Sequence, residues 1–417
     1  MPDPARQSLD PRLPDEPEAV LQHLLDPALR GEDLYPLLHQ LRTLAPVFKT
    51  ENPGFQQAWV ITRFADDDTV VRSKSLSSDN RVLEVFDTGE QSAFLEVMRS
   101  LLKFLDPPDH TRVRGLIARA FTPRSIEGLR PRIQTIVDER IAARLDAREM
   151  DLVADLAFPL PVIVICELLG VPVEDVDRFF RWSQDLVRRA DVQKLDADRK
   201  RRGDEAAAGL RDYFLELIAE RRQRPRNDLV SALIAVEADG DRLSESELVG
   251  AAIILLQAGH ETTANLITKG ILGLLRHPDQ LELLRRRPEL IVDATEELLR
   301  YDTSVQITPK VATTDIPYHE HTIQAGDIVA TLRGAVNRDP ERYPDPDRLD
   351  IRRPDNRHHS FGVGAYHCLG ASLARAEIQI AVGSLVSRLP GLELREDRPK
   401  SKGSLYLHGL ESLRVGW

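Results

Sequence analysis

One helix, far longer than most, governs what this chain can become. Ser244 and Glu247 form a Ser-x-x-Glu capping box ahead of an apolar run, and helical spacing continues to Arg276, where His277-Pro278 stops it. That predicts about 33 residues and a rod of roughly 50 Å, enough to cross a whole domain. Its middle, Ala258-Gly259-His260-Glu261-Thr262-Thr263, breaks the apolar face with small and polar groups. A glycine there costs about 1 kcal/mol against alanine, and a threonine can bend the helix by bonding its own backbone. Such a break is either an exposed polar turn on a surface helix or a notch that faces a ligand. The other motifs of the chain favour the notch.

Around this rod the pattern is mainly α with a smaller β part, an α+β chain. Residues 1–20 are polar and proline-rich and read as an irregular arm, with 21–417 as a single domain. Two β-like pieces near 46–49 and 58–62 precede a mixed stretch to Leu105. From Thr111 to about Arg300 leucine, alanine and arginine recur at spacings of three and four, which predicts helix almost throughout. Short strands are expected over 305–313, 322–325 and 328–332. A last helix is expected from Cys368, and the tail from 392 reads as strands and turns.

The 56 basic against 67 acidic side chains leave a net charge of −11, which argues against nucleic-acid binding as the main business. No run approaches the ~20 apolar residues of a membrane span, and the first residues lack the apolar centre of a signal peptide. Two cysteines in 417 residues make no disulfide framework and fit a reducing compartment, so a cytoplasmic location is expected. Cys166 lies in the apolar run Leu160-Pro161-Val162-Ile163-Val164-Ile165 and reads as core.

Cys368 is different. In Phe361-Gly362-Val363-Gly364-Ala365-Tyr366-His367-Cys368-Leu369-Gly370, two glycines let the backbone fold tightly ahead of the cysteine, and a helix follows. Free N–H groups at a helix N-terminus favour a thiolate. A thiolate in a small-residue loop can ligate a haem iron from one side, the arrangement that favours O–O cleavage. A lone cysteine is otherwise commonly an inert buried side chain.

Four separated segments together resemble the cytochrome P-450 superfamily of haem-thiolate monooxygenases, in its bacterial form without a membrane anchor. The Cys368 loop is similar to the family's haem-binding signature, and Ala258-Gly259-x-Glu261-Thr262-Thr263 to its oxygen-binding helix motif. Glu297-Leu298-Leu299-Arg300 is similar to its Glu-x-x-Arg, and Asp106-Pro107-Pro108-Asp109-His110-Thr111-Arg112-Val113-Arg114 to the start of a haem-contacting helix. The resemblance implies that fold, with the long helix over the haem and the cysteine loop beneath it. It also implies a cofactor, haem b, and O2 as co-substrate.

By the same resemblance, Cys368 is the axial metal ligand, with Phe361 and Gly362 shaping its loop and Ala258 and Gly259 lining the distal face. His110 and Arg114, four apart on one helical face, join Lys310 and His358 as donors to the haem propionates, with Tyr366 as a further donor or, if the loop is shifted, His367 in its place. Thr262 and Glu261 carry the proton relay. Glu297, Arg300 and Arg348 are structural, a carboxylate held between two guanidiniums. Three positions depart from the family pattern: Tyr366 replaces a usual histidine or arginine, Lys310 an arginine, and Leu349 a phenylalanine.

The implied activity is hydroxylation or epoxidation of a small, largely apolar organic molecule. No reductase domain fits in the chain, so electrons from NAD(P)H would arrive through a separate ferredoxin or flavodoxin and its reductase. That partner would dock near Cys368 at Arg112, Arg119 and Arg375. Pocket segments are expected at 81–102, 187–195, 255–259, 304–308 and 405–408. Two alternatives remain: a catalytically silent haem-binding homologue that serves another enzyme, and a peroxide-driven peroxygenase. Retention of Cys368 and Thr262 speaks against the first, and the Glu261-Thr262 pair against the second.

Overall fold

In the computed structural model, residues 9–26, 34–78, 92–190, 196–236 and 240–417 are described. The chain opens on α1 (Pro17–Leu25) and α2 (Leu34–Leu44). Val20, Leu21 and Leu24 form one apolar face of α1 and are fully buried, so the irregular arm ends before residue 17 rather than at 20. The mixed stretch to Leu105 contains β1 (Val47–Lys49), β2 (Trp59–Ile61), α3 (Phe64–Arg72), β3 (Leu76–Ser77) and α4 (Ala93–Ser100).

The helical expectation from 111 onward is met by α5 (Asp109–Ala120) and α6 (Pro123–Ala142), then α7 (Pro159–Leu169) and α8 (Val176–Ala190). One short strand, β4 (Glu149–Asp151), interrupts it. Next come α9 (Ala197–Gln223), α10 (Leu229–Ala235), α11 (Glu245–Arg276), α12 (Pro278–Arg286) and α13 (Ile291–Tyr301). The C-terminal part holds β5 (Ile307–Ala312), β6 (Ile316–Tyr318), β7 (His321–Ile323), β8 (Ile328–Leu332) and α14 (Arg333–Val336). It ends with α15 (Ala371–Arg388), β9 (Glu393–Leu394) and β10 (Arg414–Gly416).

The long rod is α11, 32 residues from Glu245 to Arg276. Ser244 accepts from the Glu247 N–H at 3.3 Å while Glu247 takes the Ser244 N–H at 2.8 Å, the reciprocal box that the sequence predicts. It packs against α7, α9, α13 and α15. Most of its length from Leu248 to Leu274 is therefore buried, which explains an apolar pattern wider than one face.

The main sheet has the order β1-β2-β8-β5-β3. Its pairs are antiparallel except β2 with β8, where Val60 lies opposite Ala330. A second sheet, β4-β10-β9, joins the strand inside the helical region to the last residues of the chain. Sequence periodicity does not show such a pairing, because its partners lie some 260 residues apart.

Candidate active site

The loop before α15 is held by its own backbone. Gly362 and Gly364 have φ of +66° and +69°, a conformation that costs other residues about 1 kcal/mol or more. With those two turns made, the Cys368 N–H reaches back to the Phe361 carbonyl at 2.8 Å, and the Gly362 N–H to that of His359 at 2.9 Å. The helix starts at Ala371, three residues later than expected, so Cys368 lies ahead of the N-terminus rather than in it. The thiol still receives the Gly370 and Ala371 N–H groups and feels the Arg114 and Arg375 guanidiniums. Burial outweighs them and pushes the thiol above its ordinary range, although its surface is open to solvent. Cys166 is fully buried, its thiol pushed up to about 12 by desolvation, an inert core residue.

In the middle of α11 the buried helix opens. Ala258 is exposed and Gly259 and Thr262 are half-buried, while Leu255, Leu256, His260, Glu261 and Thr263 around them are buried. A methyl group built on Gly259 would meet nothing within 4 Å. The Thr262 hydroxyl bonds back to the Ala258 carbonyl at 2.7 Å, as a threonine in a helix break does. These three positions make the notch that the sequence suggests.

Glu261 does not stand open to solvent as a free carboxylate. It is buried and paired with Lys402 at 3.0 Å, and Lys402 also donates to Asn265 Oδ1 at 3.2 Å. This partner lies 141 residues away, and no motif spacing points to it.

At the other end of the site, His110 and Arg114 on α5 meet the cysteine loop. Arg114 Nη2 donates to the His367 carbonyl at 2.6 Å. His110 is buried, and its Nδ1 has no hydrogen-bond partner. Burial, with Arg114 and Lys310 nearby, pushes its pKa down to about 4, so it is neutral at pH 7. Lys310 is held down to about 8, chiefly by burial; its ammonium donates to Ser78 and lies 3.4 Å from the centre of the Tyr366 ring.

Four expectations need correction. The Tyr366 hydroxyl donates to Asp106 Oδ1 at 2.7 Å and lies 3.2 Å from the Leu105 carbonyl, so it is engaged by protein groups rather than standing free. Its ring is longer than an imidazole and carries the hydroxyl past the position a histidine nitrogen would occupy. The ring itself stacks on His110, centroids 4.2 Å apart. His358 also does not stand free: its buried side chain has Nε2 3.3 Å from Glu296, whose carboxylate takes Arg375 in a two-pronged pair at 2.7 Å.

The third correction concerns Glu297. This fully buried carboxylate takes Arg300 through Nε and Nη2 at 2.7 and 2.8 Å, but its second guanidinium is Arg353, at 3.2 Å, not Arg348. Arg348 points outward, and only its carbonyl serves the network. The fourth concerns the docking arginines. Arg112 is paired with Glu247 and Asp241, and Arg375 with Glu296; Arg119 is exposed and without an ion pair among the described residues. Of the expected pocket segments, 304–308 and 405–408 do meet, through Gln306 N–H to Tyr406 O at 3.0 Å and a bridge between Val305 and Leu407. Residues 81–91 and 191–195 of the other segments lie outside the described residues.

The donor set fits a haem. It offers one accessible sulfur on a loop fixed by backbone bonds, an opened helix face of small residues and Thr262, and an orphaned imidazole nitrogen beside cations. Comparison with known proteins agrees. Residues 99–407 match the family model of cytochrome P450. The chain is 41% identical over 373 residues to "Cytochrome P450 CYP107DY1" of Priestia megaterium, covering 87% of this chain and 90% of that one. It is 39% identical to the "Mycinamicin IV hydroxylase/epoxidase" of Micromonospora griseorubida, covering 91% and 94%. Among solved structures, P450BioI in complex with an acyl carrier protein ligated to hexadec-9Z-enoic acid superposes with a TM-score of 0.86 at 35% identity, over 92% of this chain and 98% of that one. The chain belongs to the cytochrome P450 family. Its class is that of the haem-dependent monooxygenases, enzymes of iron and O2 chemistry.

Proposed function

We propose that this enzyme hydroxylates or epoxidises a small, largely apolar organic substrate, using electrons from a separate ferredoxin or flavodoxin and its reductase. The observation that carries the reading is the contrast between the two cysteines: Cys166 is sealed in the core, while Cys368 keeps an accessible thiol on a loop that two left-handed glycines fix. Cys368 would hold haem b through its sulfur, with Phe361 and Gly362 as its cradle and Ala258 and Gly259 on the opposite face. His110 Nδ1–H, Arg114 and Lys310 would hold the propionates, since all three are cations or neutral donors within one cluster. When bound, the haem supplies O2 activation and oxygen insertion into a C–H or C=C bond.

The chain's own residues govern protons and access. Thr262, on the open face of α11, is placed to hold water and pass a proton through its hydroxyl. Glu261 stands next to it as the proton source, and Lys402 orients that carboxylate through a 3.0 Å ion pair. Proton entry therefore runs past Lys402, whose side chain is partly exposed. The exposed Arg119 and the loop beside His367 form the face offered to an acidic electron carrier. A cytoplasmic setting, where thiols stay reduced, suits an unpaired Cys368. The likeness to the mycinamicin IV hydroxylase/epoxidase favours a substrate from secondary metabolism. The test is reconstitution with a ferredoxin, its reductase and NADPH under labelled O2. One labelled atom in the product supports the reading; unlabelled product, or turnover by peroxide alone at the same rate, overturns it.

A further inference from the structure

On α11, Glu261, Asn265 and Lys269 recur at a spacing of four, so they share one side of the helix. All three are buried, in a helix whose buried length is mainly apolar. A buried polar stripe is costly unless each group finds a partner. Residues 302–304 and 402–409 supply them. Lys269 Nζ pairs with Asp302 at 2.6 Å and donates to the Thr303 and His408 carbonyls at 3.0 and 3.4 Å. Glu261 and Asn265 share Lys402. The stripe is thus the seam on which both segments dock.

Asn265 stands at the centre of that seam with both ends of its amide in use. Oδ1 accepts from Lys402 Nζ at 3.2 Å, and Nδ2 donates to the Ser304 hydroxyl at 3.2 Å. An amide has one accepting and one donating end, and a flip would set its NH2 against an ammonium. The Ser304 bond opposes that flip from the other side. A methyl group built on Gly409 would overlap Asn265 Oδ1, so the backbone of the 402–409 turn lies directly on the amide. The Lys402 N–H closes that turn on the Gly409 carbonyl at 2.9 Å, and the His408 N–H ties it to the Ser304 carbonyl at 2.8 Å. The Lys402 side chain is partly exposed. Holding a long cation in one geometry costs rotamer freedom, and a partly solvated ion pair offsets little of it. A second, buried acceptor fixes the ammonium where the ion pair alone would not.

We propose that Asn265 is a positioning residue of the proton relay: its amide, oriented by Ser304, fixes Lys402 opposite Glu261. This rests on the reading of Glu261 as proton source. It adds that the carboxylate is aligned from residue 304, in an expected pocket segment, through the chain Ser304, Asn265, Lys402, Glu261. Proton entry and the pocket are then built on one set of hydrogen bonds.

Acylation of the haem-loaded enzyme with N-acetoxysuccinimide, read for each lysine by peptide mass spectrometry, measures how firmly Lys402 is held. Loss of the bond from the charged donor should speed acylation of Lys402 roughly tenfold in Asn265→Leu, and loss of the neutral orienting bond roughly fivefold in Ser304→Ala. Asn265→Asp keeps an accepting oxygen on the ammonium and should not exceed the native rate. Lys269, buried on the same stripe, is the internal control and stays unreactive while the fold is intact. If Asn265→Leu makes Lys269 reactive, Ser304→Ala and Asn265→Asp decide. The functional arm is the solvent isotope effect on NADPH oxidation by the enzyme reconstituted with a ferredoxin and its reductase, with no substrate added. It should rise roughly twofold in Asn265→Leu and Ser304→Ala, as in Lys402→Met, because a misaligned carboxylate slows proton transfer. A Lys402 acylation rate that Ser304→Ala leaves unchanged overturns the proposal. So does faster acylation with an unchanged isotope effect, which leaves Asn265 a packing residue. Glu261→Gln tests the relay separately: a native isotope effect there sinks the relay reading, whereas an effect of Glu261→Gln without one of Asn265→Leu or Ser304→Ala sinks the positioning alone.

Discussion

Replacing Arg353 should destabilise the protein far more than replacing Arg348, although the family's pattern points to Arg348. Glu297 accepts five hydrogen bonds: two from Arg300, one from Arg353, one from the Asp350 N–H at 2.9 Å and one from Asn356 at 3.0 Å. Arg353→Met removes one bond between charged groups, worth about 1.5–3 kcal/mol. It also frees the carbonyls of Pro344, Asp345 and Arg348, which lie where water can replace the guanidinium. The expected cost is therefore about 2–3 kcal/mol. Arg348→Met keeps the backbone carbonyl that the network uses and alters an exposed side chain, for a cost below about 0.5 kcal/mol. Glu297→Ala leaves the fully buried Arg300 without its counter-charge and should cost about 3–5 kcal/mol. Urea unfolding followed by far-ultraviolet circular dichroism, with midpoints and slopes compared, gives the order. A cost for Arg348→Met equal to that for Arg353→Met would refute the geometry from which these values are worked.

Cys368→Ala should abolish the red-shifted absorbance band of the reduced carbon monoxide complex, and a variant that keeps the band would remove Cys368 as ligand. Thr262→Ala should leave haem content and substrate spin shift nearly intact while product per electron pair falls and hydrogen peroxide rises; unchanged coupling would take Thr262 out of the relay. Tyr366→Phe should destabilise by about 1.5–3 kcal/mol at pH 7, because it strips a donor from an ionised carboxylate. Burial alone would raise Asp106, but Ser77, Tyr366, the Ser78 N–H and Lys310 together hold its pKa below the ordinary value. Its contribution is thus present above the unfolded pKa of about 3.9 and lost as pH falls through the lower folded value. The gap between wild type and Tyr366→Phe should accordingly close in acid and stay level above pH 5; a gap that widens in acid would contradict the Asp106 assignment.

What the sequence determined by itself was local. The capping box at Ser244, the stop at Pro278 and the break at 258–263 depend on neighbours three or four residues apart, and the structure keeps all of them. Gly362 and Gly364 announce the cysteine loop for the same reason, since left-handed backbone is a property of single residues. The Glu297–Arg300 pair was legible at its spacing of three. What only the tertiary structure decided was which distant group each side chain would meet. Lys402 finds Glu261 across 141 residues, and Arg353 rather than Arg348 reaches Glu297 because a turn sends one guanidinium inward and its neighbour out. Tyr366 turns to Asp106, His358 to Glu296, and β4 joins β10 at the far end of the chain. Ion pairs depend on distance in space and on exclusion of water, and the order of residues encodes these only through the completed fold.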